Sequence, residues 1–117
     1  MWVDQAGGVE LVIFEALYAA SLAGELILVD GAICHYHLRR DGQLTICELI
    51  VLPEKQGNGI GGHIIQLLLD VPGATSLLAK CPADLPSNGW YEYMGFTLES
   101  VETTRTGRQV NVWRRRF

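Results

Sequence analysis

The sequence predicts an α+β fold built on a mixed α/β sheet, with elements in the order α-β-β-β-α-β-α-β-β. Three observations carry this. The apolar period changes from about 3.6 to 2 after Gly24. Two Asp-Gly dipeptides divide residues 25–52 into short strand-like runs. A strand, a glycine-rich turn, a helix and another strand then follow between residues 43 and 80, which requires a parallel crossover inside an otherwise antiparallel sheet.

In the first element, Val9, Val12, Ile13, Ala16, Leu17 and Ala20 recur at helical spacing, and Gly24 follows as a stop signal, so residues 9–23 read as an amphipathic helix. Runs 25–30, 32–40 and 43–52 are rich in Leu, Ile, Val and Tyr. The Asp30-Gly31 and Asp41-Gly42 dipeptides between them suit type I′ turns, giving a three-stranded meander. Pro53 closes the third strand. Ile60, Ile64, Leu67 and Leu68 then line one face of a helix over 59–70, ahead of Pro72-Gly73. A strand over 75–80, a polar loop at 82–87 and a short helix at 88–94 capped by Gly95 come next. Two last strands, 96–104 and 108–115, meet at Thr106-Gly107.

The chain of 117 residues is expected to form one domain, residues 1–117, with 49% apolar and 19% charged residues. No apolar run approaches the roughly 18 residues of a membrane-spanning helix, and the N-terminus lacks a basic region before its apolar stretch, so a cytoplasmic protein without a membrane partner is expected. Cys34, Cys47 and Cys81 lie in or beside apolar runs without metal or redox spacing, which suits reduced structural thiols. The net charge of -4 is uneven: eight carboxylates stand against Arg39 and Arg40 in residues 1–54, and five of nine basic residues fall between Arg105 and Arg116. The acidic front half favours cationic partners. Arg114-Arg115-Arg116 has no interleaved aromatic pattern of a nucleic-acid surface, and reads instead as an edge strand protected by charge.

The most informative stretch is LIVLPEKQGNGIGGHIIQLLL. Glycines at 57, 59, 61 and 62 remove side chains where a helix begins, which leaves unpaired N–H groups and the positive end of the helix dipole for an anion such as a pyrophosphate. Gly57-x-Gly59-x-x-Gly62 also satisfies the dinucleotide fingerprint. That reading requires a ribose-binding acid at a strand end, whereas Asp84 falls in a loop. No Lys-Ser or Lys-Thr follows the glycines, which removes a phosphate loop of the Walker type.

Gln56-x-x-Gly59-x-Gly61, directly after a strand ending Leu49-Ile50-Val51-Leu52-Pro53-Glu54, resembles the Q/R-x-x-G-x-G/A signature of the GNAT superfamily of N-acetyltransferases. Farther on, Asn88-Gly-Trp-Tyr91-Glu-Tyr-Met-Gly95-Phe96 resembles that family's second signature, an asparagine followed by Y-E-x-x-G-F. The resemblance covers residues 25–117. It implies the GNAT fold, acetyl-CoA (coenzyme A) as the donor, and transfer of acetyl to a primary amine by direct attack in a ternary complex. The alternative it leaves open is a non-catalytic acyl-CoA-binding module.

Carried over by position, the backbone of Leu49, Ile50 and Val51 pairs with the pantetheine arm. Gln56, Gly57, Asn58, Gly59, Ile60, Gly61 and Gly62 cradle the pyrophosphate, Asn88 matches a cofactor contact, and Tyr91 matches the residue that protonates the departing thiolate. A phenol near pKa 10 is protonated at pH 7 and suits that task; the plain alternative is a core aromatic. Glu48 is the carboxylate nearest the cofactor strand, a candidate base acting directly or through water, or a solvent-facing strand residue.

His35 and His37 share one strand face without a third metal ligand, so no metal is expected. His63 and Lys80 each read as a phosphate contact or as a solvated side chain. Family members open with a strand and two helices, but only residues 1–24 precede the meander here. The resemblance therefore implies an open acceptor cleft, or one completed by a neighbouring subunit in a homodimer. The acceptor itself, a small molecule or a peptide amine, is not specified.

Overall fold

The computed structural model describes residues 8–117, with side chains from Phe14 onward. The element order is the expected one: α1 (Gly8–Leu22), β1 (Leu26–Val29), β2 (Ala32–Leu38), β3 (Gln43–Val51), α2 (Ile60–Leu69), β4 (Ser76–Pro82), α3 (Ser87–Tyr93), β5 (Thr97–Thr103) and β6 (Gln109–Arg116). A 3-10 turn, Pro53–Lys55, lies between β3 and α2. The strands form one six-stranded sheet ordered β1-β2-β3-β4-β6-β5, with β3 and β4 parallel and every other neighbouring pair antiparallel.

The hairpin turns differ from expectation. Type I′ needs positive φ at both central residues, yet among the described residues only glycines have positive φ, Gly31 and Gly42 included. In the second turn the Gly42 N–H donates to the Arg39 carbonyl at 3.1 Å and the Arg39 N–H to that of Gln43 at 2.8 Å. This is a three-residue loop ending in a left-handed glycine. Asp41 supports it from the side, its Oδ1 accepting the Gln43 N–H at 3.1 Å. An aspartate that keeps negative φ and binds backbone avoids the cost of the left-handed region.

Cys34, Leu44, Ile64, Leu68 and Leu77 are the largest fully buried side chains, and they join α2 to the middle strands. On β3 the pattern is interrupted by a bulge: His35 pairs with Glu48 and Tyr36 with Ile46, leaving Cys47 without a partner. One inserted residue reverses which face follows. Leu44 and Ile46 before the bulge and Leu49 and Val51 after it therefore all pack on the core, while Glu48 and Ile50 are exposed. The same insertion leaves Cys47 exposed rather than in the apolar interior expected for it.

Two further expectations need correction. In α1, Ala20 is buried and Leu17 half-buried, but Ala16 is exposed, as are Phe14, Tyr18 and Leu22. The helix packs against β1 and β2, with Leu17 and Ala20 the inward residues among the described side chains; Val9, Val12 and Ile13 lie outside them. The arginine run is also not on an edge, because β6 pairs with β4 on one side and β5 on the other. Arg114 bonds the Glu99 carboxylate, Ser76 Oγ and Gln43 Oε1, and Arg115 donates to the Met94 carbonyl at 2.9 Å. These charges tie neighbouring strands and α3 together instead of guarding a sheet edge. The exposed edge strand is β5, which carries Glu99 and Glu102.

Candidate active site

Pairing between β3 and β4 runs only from Gln43↔Ser76 to Ile46↔Ala79. Beyond Ile46 the strands part at the Cys47 bulge, so the β4-facing backbone of residues 47–51 has no ladder partner. Unpaired strand backbone at an opening is suited to an extended, amide-bearing ligand.

A cleft of about 720 Å³ extends from this opening, lined by Leu49 and Val51 of β3, the turn from Lys55 to Gly62, and α3 residues including Trp90 and Tyr91. A smaller cavity of about 270 Å³ lies between the parting strands, against Cys47, Glu48, Lys80 and Cys81. Leu49, Ser87 and Tyr91 line both. Tyr91 thus borders both spaces.

The glycines divide by physical role. Gly57 and Gly59 adopt left-handed φ of 81° and 79°, and a Cβ on either would meet nothing within 4 Å, so both leave open space in the cleft. Gly59 is the N-cap of α2 and supplies no side-chain cap. The first N–H groups of α2 therefore have no partner within the helix. Gly61 is different: a Cβ there would lie 2.7 Å from Trp90 Cζ2. Its glycine admits the indole of α3 against the start of α2. Gln56 lines the cleft and donates Nε2 to the Val51 carbonyl at 3.1 Å, which stitches the turn back to β3.

No protein-family model matches the chain, and no curated protein matches it. Solved structures do. A GNAT-family protein of Desulfovibrio desulfuricans, described as a proposed acetyltransferase, is similar with 21% identity and a TM-score of 0.66, over 74% of this chain and 61% of that one. A proposed acetyltransferase of Agrobacterium tumefaciens shares 22% identity at a TM-score of 0.66, over 100% of this chain and 98% of that one. The ribosomal-protein-S18-alanine N-acetyltransferase of Escherichia coli shares 18% identity at a TM-score of 0.61, over 80% and 73% respectively. The fold is that of the GNAT acetyltransferases.

On this GNAT fold the candidate residues fall into three groups. Leu49, Val51, Gln56, Gly57, Gly59, Ile60, Gly61, Gly62 and Tyr91 line the larger cleft. Glu48 lines only the smaller cavity, exposed and opposite His35 across the strand pair. Ile50, Asn58 and Asn88 line neither. Ile50 sits on the outer face because of the bulge.

The Asn88 amide is committed internally. Nδ2 donates to the Pro82 and Leu85 carbonyls, each at 2.8 Å, while Oδ1 accepts from Asn111 Nδ2 at 2.9 Å and Trp113 Nε1 at 2.8 Å. Two donors and two acceptor sites are the full capacity of an amide. Asn88 is therefore a lock between α3, β4 and β6, and its side-chain amide has no donor or acceptor left over for a ligand.

Tyr91 packs edge-to-face on Trp90 at 5.1 Å and on Phe96 at 5.3 Å, so it is anchored as a core aromatic while its ring borders both cavities. Burial pushes its phenol up to about 12, with the negative potential of Cys81, Cys34 and Glu48 adding to the effect. Burial raises the Cys81 thiol, and partial desolvation raises that of Cys47, whose surface is otherwise exposed, with the help of Glu25 and Glu48.

His37 is turned to Glu25, 3.1 Å from its carboxylate, and the Leu38 N–H donates to the same carboxylate at 3.0 Å. That backbone hydrogen bond, aided by His37, holds Glu25 below the usual carboxylate range. His63 is exposed and outside the cleft, and Lys80 pairs with Glu102 at 3.0 Å rather than turning to the glycines. Lys55, which the sequence motifs do not single out, also lines the larger cleft; its place directly before Gln56 is the signal the sequence offers.

Proposed function

We propose that residues 1–117 form one acetyltransferase domain that moves an acetyl group from acetyl-CoA to a primary amine by direct attack in a ternary complex. The observation that carries this reading is an adjacency: the capless start of α2 opens on a cleft whose lining residues Leu49, Ser87 and Tyr91 also line the cavity in the gap where β3 and β4 part.

The residues fit acetyl-CoA on observations specific to this chain. Gly57 and Gly59 leave the space a phosphate needs beside unpaired N–H groups. The β4-facing backbone of residues 47–50, which has no strand partner on that side, can take up the amides of a pantetheine arm. Acetyl-CoA bound there supplies an activated thioester. Tyr91 holds a proton at its phenol oxygen throughout the neutral range and gives it to the departing thiolate. Glu48, in the cavity beyond Tyr91, takes the proton of the acceptor amine, directly or through a water. The Cys47 thiol, raised by partial desolvation and neighbouring carboxylates, stays protonated at neutral pH, which favours direct attack by the amine over a cysteine-bound acyl group.

The E. coli structure belongs to an enzyme named for acetylating an alanine of a ribosomal protein. An amine of a small molecule or a peptide is the proposed acceptor for this chain as well. A cytoplasmic setting accords with this chemistry; among the described residues no helix is long and apolar enough to cross a membrane. The test is release of free thiol from acetyl-CoA across a panel of primary amines. Release that depends on an added amine is expected. Slow release indifferent to every amine, with tight acetyl-CoA binding, would instead identify a binding module.

A further inference from the structure

We infer that Lys55 is the cation that grips the cofactor's pyrophosphate, and that Asp30 holds it ready and competes for it; this rests on the acetyl-CoA reading above. Among the described residues lining the larger cleft, Lys55 is the one charged side chain. The 3-10 turn starting at Pro53 sets it at the rim, with its N–H bonded to the Leu52 carbonyl at 2.8 Å. Two positions on, Gly57 begins the open glycine turn.

The side chain is seated, not loose. Its stem crosses the β1–β2 turn so closely that a Cβ on Gly31 would lie 2.5 Å from Lys55 Cγ. The Leu52 N–H donates to the Gly31 carbonyl at 2.8 Å, which fixes the separation of the two segments. Gly31, at φ 93°, therefore serves the lysine as well as the turn. The ammonium lies 3.3 Å from Asp30 Oδ2, whose side chain is 92% exposed. An ion pair so open to water holds weakly, and a phosphate offers more charge to a compact ammonium on a flexible stem. Lys55 can exchange Asp30 for phosphate by rotating its outer carbons while its seat on Gly31 remains.

The two partners then have opposite signs. Acetyl-CoA and dephospho-CoA, which keeps the pyrophosphate but lacks the ribose phosphate, are titrated calorimetrically into wild type, Lys55→Met, Asp30→Asn and the double variant, each checked for folding by circular dichroism. Lys55→Met weakens both ligands about tenfold, the size of one charge-assisted contact. Asp30→Asn tightens both about twofold, and that gain disappears when Lys55 is also replaced. Lys55→Arg restores most of the affinity.

Unchanged affinity in Lys55→Met, weaker binding by Asp30→Asn, or a gain that survives without Lys55 overturns the inference while leaving the cofactor reading intact. A loss seen with acetyl-CoA and absent with dephospho-CoA overturns the assignment to the pyrophosphate. No acetyl-CoA binding by folded wild type removes the reading itself, and this inference with it.

Discussion

Replacing Tyr91 with phenylalanine is expected to lower kcat for the proposed acetyl transfer by about 100-fold and to leave the KM for acetyl-CoA within about twofold. The ring that fills the space between Trp90 and Phe96 is kept, so the variant folds and the cleft keeps its shape. Only the proposed proton donor is gone. An interaction needed chiefly as the thiolate departs appears in kcat rather than in binding.

The pH dependence follows from the same burial. With its phenol raised to about 12, Tyr91 stays protonated past the pH near 10 at which an ordinary tyrosine ionises, so its proton donation does not fail below that pH. The sign for stability is also determined. The folded state holds this proton more tightly than the unfolded chain, so the contribution is fully present below about pH 10 and is lost as pH rises toward 12. Alkaline unfolding of wild type compared with Tyr91→Phe measures it. A Tyr91→Phe enzyme with undiminished kcat would transfer the acid role to water.

Asn88→Ala is expected to destabilise the fold by about 3 kcal/mol, read as a lower urea midpoint at unchanged slope. The change deprives the Pro82 and Leu85 carbonyls and the Asn111 and Trp113 donors of a shared partner, and Trp113 is buried where water cannot replace it. Asn88→Asp fails too, because it presents carboxylate oxygens to two carbonyls. If Asn88 were instead a cofactor contact, both variants would keep their stability and lose acetyl-CoA affinity. Stability and affinity measured on the same samples separate the two roles.

The element order was legible because each boundary is written locally: Gly24, the Asp-Gly pairs, Pro53 and Gly95 end their elements by backbone preference alone. The glycine turn was legible for the same reason. Features that depend on pairing were not. The Cys47 bulge exists only relative to β2, and no property of Cys47 itself announces it. The interior place of β6 follows from the sheet order, which the residues of the arginine run do not encode.

Asn88 shows the limit most clearly at the candidate site. Its family position suggested a ligand contact, but the partners that saturate it come from β4, the loop after it, and β6. Lys55 was passed over because its value depends on a glycine at position 31, far away in the chain. The exposure of Ala16 likewise could not be read from periodicity, since an apolar helix face does not say how much of its surface a neighbour covers.

Calorimetric titration of acetyl-CoA, with NAD as control, into wild type and Gly59→Glu tests most directly whether the cleft at the start of α2 is an acetyl-CoA site. A Cβ at Gly59 meets open space, so the added carboxylate projects into the cleft and repels a pyrophosphate, at the cost of backbone strain at φ 79°. Binding of acetyl-CoA, not NAD, by the wild type and its loss in folded Gly59→Glu is the predicted result. A folded wild type that ignores acetyl-CoA, or that takes up NAD equally well, would contradict it.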